Sequence, residues 1–428
     1  MKTPMRKIFC VLLTACLLSA SLGAALAGDS PVELTYLTYN PNVIPIVEAF
    51  NASQSEIHVT VDMQSENNSV DFLTKLDLLQ LSGETGDVIL VPSYREYAPR
   101  AEQGFFAPLD DAFDSLSLSY DDLYAFPSEV GGKLYGVPFE PGIYLTFINE
   151  EMLNEAGLPL PGPGFTFDDY RTYAAALTKG EGANKVYGSY MHTWAEFRRE
   201  GLFNAIEDNP YVNADGSSNL DNPLFGEWLE YMYELENVDG SQISFADAKA
   251  TSMAYRDVFM NGKAAMIIIG TWVFTDLINT EQYPHEFRTV FAPFPVFDGG
   301  QPGVTQGSAS YMTIGANSKN PEAALKFINY AANEGSIAAG LFPSAKDGDV
   351  LAVLEAKVGA YPELFDLESA TASWQSSIPN IITREASLFV EIDAVYDAET
   401  SSYMLGGQDL ETALKNFKEQ GEAIINAK

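Results

Sequence analysis

The hydrophobic positions near the start of the chain alternate between a period of two and a period near 3.6. Short apolar segments predict strands at Val32 to Thr38, Ile57 to Val61 and Asp87 to Val91. Helices are predicted between them, one by the i, i+3, i+4, i+7 spacing of Val43, Ile46, Val47 and Phe50 and one over Val70 to Leu81. Strands that alternate with helices predict an α/β fold, with a parallel sheet covered by helices.

Two strand-like segments further along flank a Pro-Gly pair. Lys133 to Phe139 leads into Ile143 to Ile148, and the interruption at Glu140-Pro141-Gly142 predicts a crossing between two lobes. Thr166 followed by Asp169 predicts a capping box at the start of a helix. Two later helices are predicted, one from Asn320-Pro321 to a stop at Gly335 and the last over about Asp409 to Ile425.

The first 27 residues have the pattern of a secretory signal. Lys2, Arg6 and Lys7 form a basic start, Ile8 to Leu22 is apolar, and Ala25-Leu26-Ala27 is a small-residue cleavage site. The sequence therefore predicts export to the periplasm or the cell surface.

A rival interpretation takes Leu13-Thr14-Ala15-Cys16 as a lipobox, in which a lipidated Cys16 would hold the protein on a membrane. The residues after Cys16 stay apolar, whereas a tether is usually polar, so the cleaved signal is favoured. Both cysteines, Cys10 and Cys16, lie in the signal. The mature chain is therefore expected to have no disulfide, catalytic thiol or cysteine-bound metal.

Cleavage after Ala27 leaves 401 of the 428 residues, more than one core usually supports, so we expect two lobes. It also leaves 21 Lys and Arg against 59 Asp and Glu, a net charge of −38. Such a chain repels phosphate backbones and anionic membranes, which argues against nucleic-acid and lipid-surface partners. The charge itself is most simply a solvated surface that keeps an exported monomer soluble.

Several segments carry motifs in a characteristic order. They are Gly86 to Leu90 with Gly104 to Asp110, Gly132 to Pro138 (GKLYGVP), Asn261 to Met266 with Gly270-Thr271-Trp272, and Ala316 to Ala324. Over nearly all of the mature chain these segments resemble the family 1 extracellular solute-binding proteins, the maltose- and oligosaccharide-type receptors of ATP-binding-cassette (ABC) importers. Thr166-Phe167 departs from the family's usual Thr-Trp pair, so the aromatic residue is kept but is smaller.

The resemblance implies a class II periplasmic-binding-protein-like fold, with two discontinuous α/β lobes joined by hinge strands. It places crossings near Glu140-Pro141-Gly142, near Ser308 to Tyr311 and around Gly340. Residues 28–140 with 311–339 would form lobe 1, and residues 141–310 with 340–428 would form lobe 2. The implied function is capture of a carbohydrate by hinge closure and its delivery to the transmembrane permease subunits, without a cofactor.

A sugar site needs flat rings to cover C–H faces, together with polar groups to replace the water that each hydroxyl loses. Trp272 is the strongest candidate for a stacking ring, because the predicted strand before it would deliver it to the cleft; the alternative is a core Trp at a helix start. Trp194, with Glu196 nearby, and Trp374 lie in polar stretches and are as readily surface residues. Trp228 has helical spacing and fits the core.

Loops at the carboxyl ends of strands are where open α/β sheets bind ligands. Each such residue alone is more often an ordinary loop residue, but together they predict a polar cleft lining. The candidates are Tyr39, Asn40, Ser65, Glu66, Ser93 and Tyr94 after the first strands, with Glu140, Tyr144, Gly307 and Ser308 at the crossings. Arg384 is predicted to make a structural pair more readily than a sugar contact.

Enzyme chemistry finds little support. The three histidines, His58, His192 and His285, have no metal-ligand spacing, and the phosphate-loop, dinucleotide and nucleophile-elbow motifs are missing from the sequence. A secreted glycosidase stays open because it needs only two carboxylates, and the chain has 59 acids. A binding protein for a polyamine also stays open, since acidic and aromatic walls suit a cation.

Overall fold

A computed structural model describes residues 30–124, 126–206, 208–346 and 348–427. The predicted signal, its rival lipobox and both cysteines lie outside these residues. Within them, no helix combines the length and the apolar character that crossing a membrane requires.

Strands predicted near the start of the chain are confirmed, the first over its full predicted length. The strands are β1 (Val32–Thr38), β2 (Ile57–Met63), β3 (Val88–Val91), β4 (Glu129–Val130), β5 (Lys133–Leu134), β6 (Gly136–Asn149), β7 (Tyr187–Tyr190), β8 (Ala264–Gly270), β9 (Thr289–Ala292), β10 (Val304–Ile314) and β11 (Ile378–Asn380). Nine of them form one sheet with the path β2-β1-β3-β10-β6-β8-β7, in which β9 joins β6 and β11 joins β10. Strands β1, β2 and β3 pair in parallel, as the strand and helix alternation predicts.

The α-helices lie between these strands and at the carboxyl end of the chain. They span Ile44–Ser53, Ser69–Ser82, Tyr94–Glu102, Asp110–Ser115, Tyr120–Leu123, Glu150–Glu155, Phe167–Leu177, Leu224–Tyr233, Phe245–Ala250, Tyr255–Met260, Phe274–Ile278, Pro321–Tyr330, Ser336–Ala338, Val350–Val358, Leu367–Gln375, Ala386–Met404 and Leu410–Ala427. Shorter 3₁₀ and π segments include Ala195–Asn204, Thr271–Val273 and Ala331–Gly335.

Of two helix ends predicted from the sequence, the structure confirms one and contradicts the other. Thr166 and Asp169 form a reciprocal capping box at the start of the helix Phe167–Leu177, as predicted. The predicted stop at Gly335 is wrong, because a π turn over Ala331–Gly335 leads directly into the helix Ser336–Ala338. A Cβ atom at Gly335 would lie 2.7 Å from Ile46 Cγ2, so the missing side chain serves close packing rather than helix termination.

The predicted interruption at Glu140-Pro141-Gly142 is also wrong, because β6 runs through it as one strand of 14 residues. Its antiparallel register with β10 shifts between Ser308 and Ser310, where β6 carries one extra residue. Glu140 occupies this bulge with φ +50°, a conformation that costs a non-glycine residue free energy. The Pro-Gly signal therefore marks a bulge within a continuous crossing strand.

The hydrophobic core is divided on either side of this point. Alternate residues of β1, β3 and β10 cover both faces of the first part of the sheet, so that Tyr36 and Leu37 lie in separate clusters. Phe139 belongs to the same cluster as Tyr36, whereas Ile143, on the same strand, belongs to a larger cluster packed around β6, β8 and β9. The chain passes between the cores again from Leu341 to Phe342. The predicted two-lobed α/β architecture is confirmed.

A charged network also bridges the two lobes. Asp393, fully buried on the helix Ala386–Met404, accepts a hydrogen bond of 2.6 Å from the Tyr211 hydroxyl. Arg199 Nε lies 3.3 Å from Asp393 Oδ1, and Arg95 Nη1, from the helix Tyr94–Glu102, lies 3.0 Å from Oδ2. Both arginines are at ion-pair distance without hydrogen-bond alignment. Arg199 is itself nearly buried, so the Asp393 carboxylate compensates a charge that water cannot reach.

Replacement of Asp393 by Asn is expected to lower the free energy of unfolding by about 3–5 kcal/mol, because it leaves the buried Arg199 without its counter-charge. Arg95→Gln is the matched control: its side chain is 38% exposed, so its loss is expected to cost at most about 1 kcal/mol. Urea unfolding followed by circular dichroism measures both. Equal costs for the two variants would contradict the assignment.

Candidate functional site

A cavity of about 230 Å³ lies where the crossing strands pass between the two cores. The lining combines lobe 1, both crossing strands and lobe 2. It consists of Tyr39, Asn40 and Pro92, then Glu140, Pro141, Gly142, Ser308, Ala309 and Ser310, then Thr271, Trp272, Phe274, Thr275, Leu341, Phe342 and Lys357. Because its walls come from both lobes, any change in their separation changes the cavity.

On the lobe 1 side, polar groups follow the end of β1. Asn40 lies two residues after the end of β1 and donates a hydrogen bond from Nδ2 to Glu140 Oε2, at 3.3 Å. Tyr39 packs against Phe72 with ring centroids 5.3 Å apart. Burial raises the pKa of Tyr39 to about 12, with a hydrogen bond to Ser310 acting in the opposite direction. Both residues therefore present neutral, hydrogen-bonding groups to the cavity at physiological pH.

One carboxylate and one ammonium line the cavity among the described residues, Glu140 from the bulge of β6 and Lys357 from the helix Val350–Val358. Burial raises the pKa of Glu140, and the charge of Lys357 counteracts that rise. Burial lowers the pKa of Lys357, and the charges of Glu140 and Asp276 oppose this shift. Each group thus favours the charged form of the other.

Trp272 reaches the cavity from the opposite side. The buried strand β8 ends at Gly270, and the 3₁₀ turn Thr271–Val273 then projects the indole. Its Nε1 donates to the Tyr255 hydroxyl at 3.0 Å, which fixes the orientation of the ring. A Cβ atom on Gly270 would lie 1.8 Å from Trp272 Cζ3, so only glycine leaves room for the indole there.

Trp272 belongs to a cluster of rings that we call the aromatic wall, made up of Tyr144, His192, Trp194, Tyr255 and Trp272. Tyr144 meets Trp272 edge to face at 5.3 Å, and Trp194 lies 6.4 Å from Trp272 and 5.6 Å from Tyr255. Trp194 is 39% exposed and Tyr144 is buried. The wall therefore runs from the core to the surface beside the cavity.

Carboxylates stand behind the aromatic wall. The Tyr144 hydroxyl donates to Glu196 Oε1 at 2.9 Å. Glu200 is fully buried, and neither of its carboxylate oxygens has a hydrogen-bond partner among the described residues. Burial raises the pKa of Glu200 well above its usual value, and the neighbouring Glu196 raises it further. Burial behind the wall therefore favours the neutral, protonated form of Glu200, while the nearby Arg199 charge acts in the opposite direction.

The structure brings part of the predicted site together. Tyr39, Asn40, Glu140, Trp272 and Ser308 line the cavity, and Tyr144, Trp194 and Glu196 lie in or behind the aromatic wall. Trp374 lies one layer further out, against the cavity residue Phe342 at 4.8 Å. Trp228 is a core residue, as predicted, and donates to the Phe197 carbonyl.

The other predicted site residues lie outside the cavity lining. Ser65 and Glu66 form a turn after β2, in which Ser65 has φ +59°. Ser93 caps the helix Tyr94–Glu102, and the Tyr94 hydroxyl donates to the Glu129 carbonyl at 2.6 Å. Gly307 pairs with Ile143 in the sheet.

Arg384 also lies away from the cavity. Its guanidinium donates to the carbonyls of Asn209 and Val212, and its backbone N–H donates to the Asp208 carboxylate. These contacts tie two segments of lobe 2 together, in keeping with the structural role predicted for Arg384.

Sequence reasoning missed Thr271, Thr275, Ser310 and Lys357. Thr271 and Ser310 adjoin residues that were predicted, so the same motifs contained the signal for them. Lys357 had no comparable signal, because it occupies a mostly apolar helix that reaches the cavity only through the tertiary fold.

Gly270→Ala is expected to displace the Trp272 indole, break its hydrogen bond to Tyr255 and lower the free energy of unfolding by about 1–3 kcal/mol, because the added methyl overpacks the turn. Gly162→Ala is the control, since no atom lies within 4 Å of the place its added methyl would occupy, and its cost is expected to stay within about 0.5 kcal/mol. Near-UV circular dichroism and thermal unfolding measure both effects. An unchanged indole signal in Gly270→Ala would contradict the assigned fit.

Acidification is expected to destabilise the aromatic wall through His192. Burial lowers the pKa of His192 to about 4, with Lys249 and Arg256 adding to the effect. Because the unfolded chain, with a histidine pKa near 6.5, binds more protons, this contribution is present above pH ~6.5 and is lost as pH falls towards ~4. When the free energy of unfolding is measured as a function of pH, His192→Gln should reduce the loss of stability between pH ~6.5 and ~4 by on the order of 2 kcal/mol. If the wild type and His192→Gln lose stability equally over this pH range, the lowered pKa of His192 is refuted.

Comparison with known proteins identifies the group to which the chain belongs. Residues 40–338 match the family described as Bacterial extracellular solute-binding protein. A putative binding protein of Brucella abortus (strain 2308) is 23% identical over 423 residues, covering 94% of this chain and 95% of the relative.

Solved structures share the fold at low identity. An ABC substrate-binding protein from Listeria monocytogenes in complex with cycloalternan superposes with a TM-score of 0.75 at 21% identity, covering 92% of this chain and 99% of that one. UgpB from Mycobacterium tuberculosis in complex with glycerophosphocholine superposes with a TM-score of 0.74 at 18% identity, covering 94% and 99%. With most of its length matched by the family, the chain belongs to the bacterial extracellular solute-binding proteins.

Proposed function

We propose that the protein is the exported substrate-binding component of an ABC importer, which captures a carbohydrate by hinge closure and presents it to membrane permease subunits. In this proposal residues 28–140 with 311–339 and residues 141–310 with 340–428 move as the two lobes. A monomer suffices, since one chain supplies the whole cavity lining.

The observation that carries the proposal is the composition of the cavity walls. Lobe 1 contributes Tyr39 and Asn40, lobe 2 contributes Trp272 and Lys357, and the crossing strands lie between them. A solute held by both walls interacts more strongly with the closed arrangement than with an open one. That difference in binding free energy is what drives closure, since a ligand with equal affinity for both arrangements shifts nothing.

The chemistry of the cavity suits a polyhydroxylated ligand. The Trp272 ring offers an apolar face for C–H groups, and its position is fixed by Tyr255. Asn40, Thr271, Ser308 and Ser310 supply neutral donors and acceptors for hydroxyl groups. Relatives of the same fold are described with cycloalternan and with maltose bound, which supports a carbohydrate here.

The two alternatives fit the cavity less well. A glycosidase needs two carboxylates flanking the bond to be cleaved, and Glu140 is the single carboxylate among the described residues that line the cavity. A polyamine would bring several positive charges into a cavity whose one described carboxylate, Glu140, already has the Lys357 ammonium as its counter-charge.

A thermal-shift screen of the mature protein against mono- and oligosaccharides, including maltose, mannotriose and cycloalternan, should yield at least one solute that raises the melting temperature, because binding to the folded state alone stabilises it. Trp272→Ala is expected to weaken that binding at least tenfold, about 1.4 kcal/mol, in calorimetry. Tyr233→Ala removes an exposed ring outside the cavity and should leave affinity unchanged. Absence of any shift across the panel contradicts the proposal.

A further inference from the structure

We infer that Lys357 and Glu140 form a charge-balanced pair that selects an uncharged, hydroxyl-rich solute and rejects phosphorylated or acidic ones. The inference rests on the proposed function and sharpens it, because family membership and fold alone leave the charge of the ligand open. Relatives of this fold include UgpB with glycerophosphocholine as well as proteins with neutral sugars.

The two side chains enter the cavity from different parts of the fold. Glu140 projects from the bulge of β6, where its backbone adopts φ +50°. Lys357 belongs to the helix Val350–Val358, which follows the last passage between the cores. A backbone strain of about 1–3 kcal/mol persists only where the surrounding structure imposes it, and here it sets the carboxylate at the junction of the lobes.

The protein leaves much of the hydrogen-bonding capacity of this pair unused. In the part of the chain that the structure describes, Glu140 accepts one side-chain hydrogen bond, from Asn40 at 3.3 Å. Across the same residues, no hydrogen bond or salt bridge engages the Lys357 ammonium. Three ammonium donors and most of the carboxylate lone pairs therefore remain available to a ligand.

The charges of this pair and of its charged neighbours on the Lys357 side cancel. Asp276, which acts on Lys357 electrostatically, is held by Arg256 with Nε 2.6 Å from Oδ2. That leaves Lys357 to balance Glu140, and each shifts the pKa of the other towards its charged form. A ligand with a phosphate or carboxylate would place a further negative charge beside Glu140 in a partly desolvated cavity, which is costly without a new counter-charge.

The lining also lacks the group best suited to a phosphate. A guanidinium binds phosphate with two parallel hydrogen bonds, whereas lysine acts as a point charge. Among the described residues that line the cavity there is no arginine, and Lys357 is already balanced by Glu140. A neutral ligand with several hydroxyl groups fits better, since one hydroxyl accepts a hydrogen bond from the ammonium and another donates one to the carboxylate.

Calorimetry on the mature protein tests the inference with five probes: maltose, mannotriose, myo-inositol, glucuronic acid and sn-glycerol 3-phosphate. The wild type should bind at least one neutral probe at least tenfold more tightly than either anionic probe. Glu140→Gln leaves Lys357 unbalanced, so it should shift the ratio of anionic to neutral affinity at least tenfold towards the anions. Lys357→Met should weaken the neutral probe at least tenfold and leave the anions excluded.

Lys75→Met, an exposed lysine away from the cavity, is the matched control and should leave every affinity unchanged. Melting temperatures of all variants separate loss of folding from loss of selectivity, and a purely structural role for the pair would weaken all probes equally. Wild-type preference for an anionic probe, or an unchanged ratio in Glu140→Gln, overturns the inference. If myo-inositol binds with the same charge dependence and neither sugar binds, the inference of charge selection stands but the proposed carbohydrate ligand is rejected. If none of the probes binds, both the charge selection and the proposed carbohydrate ligand are contradicted.

Discussion

One antiparallel strand pair, β6 with β10, is the constraint on which the rest of the structure depends. Strand β6 contributes residues to both cores, whereas β10 contributes to the core of lobe 1 and extends beyond it to pair with β11. Strand β10 joins the parallel strands of lobe 1, and β6 carries β8 and β9 in lobe 2. Backbone pairing between them on both sides of the bulge keeps the lobes in register. The irregularity occurs at the bulge beside Ser308, so any relative rotation of the lobes is concentrated where the cavity lies.

The cavity follows from that arrangement. The bulge directs Glu140 inwards, β1 ends beside it at Tyr39 and Asn40, and β8 delivers Trp272 from the other lobe. Polar groups are spread over three structural units, whereas the principal aromatic surface comes from lobe 2. The protein can therefore hold a solute first against the aromatic wall and complete its hydrogen bonds as lobe 1 approaches.

The sequence predicted most of this architecture because its signals are local. The periodic segments before Val91 and the capping box at Thr166 need no tertiary information. The errors arose where tertiary packing overrides a local rule: Pro141-Gly142 continues a strand because β10 pairs across it, and Gly335 permits close approach of Ile46. Lys357 could not be predicted as a cavity residue, since only the fold brings its helix beside Glu140.

The central claim is that a neutral solute draws the two lobes together, and small-angle X-ray scattering tests it most directly. The account predicts that the radius of gyration of the mature protein decreases when a neutral carbohydrate saturates the cavity and stays constant with sn-glycerol 3-phosphate at the same concentration. A radius of gyration that is unchanged at saturation, with binding verified by calorimetry on the same sample, would contradict capture by closure.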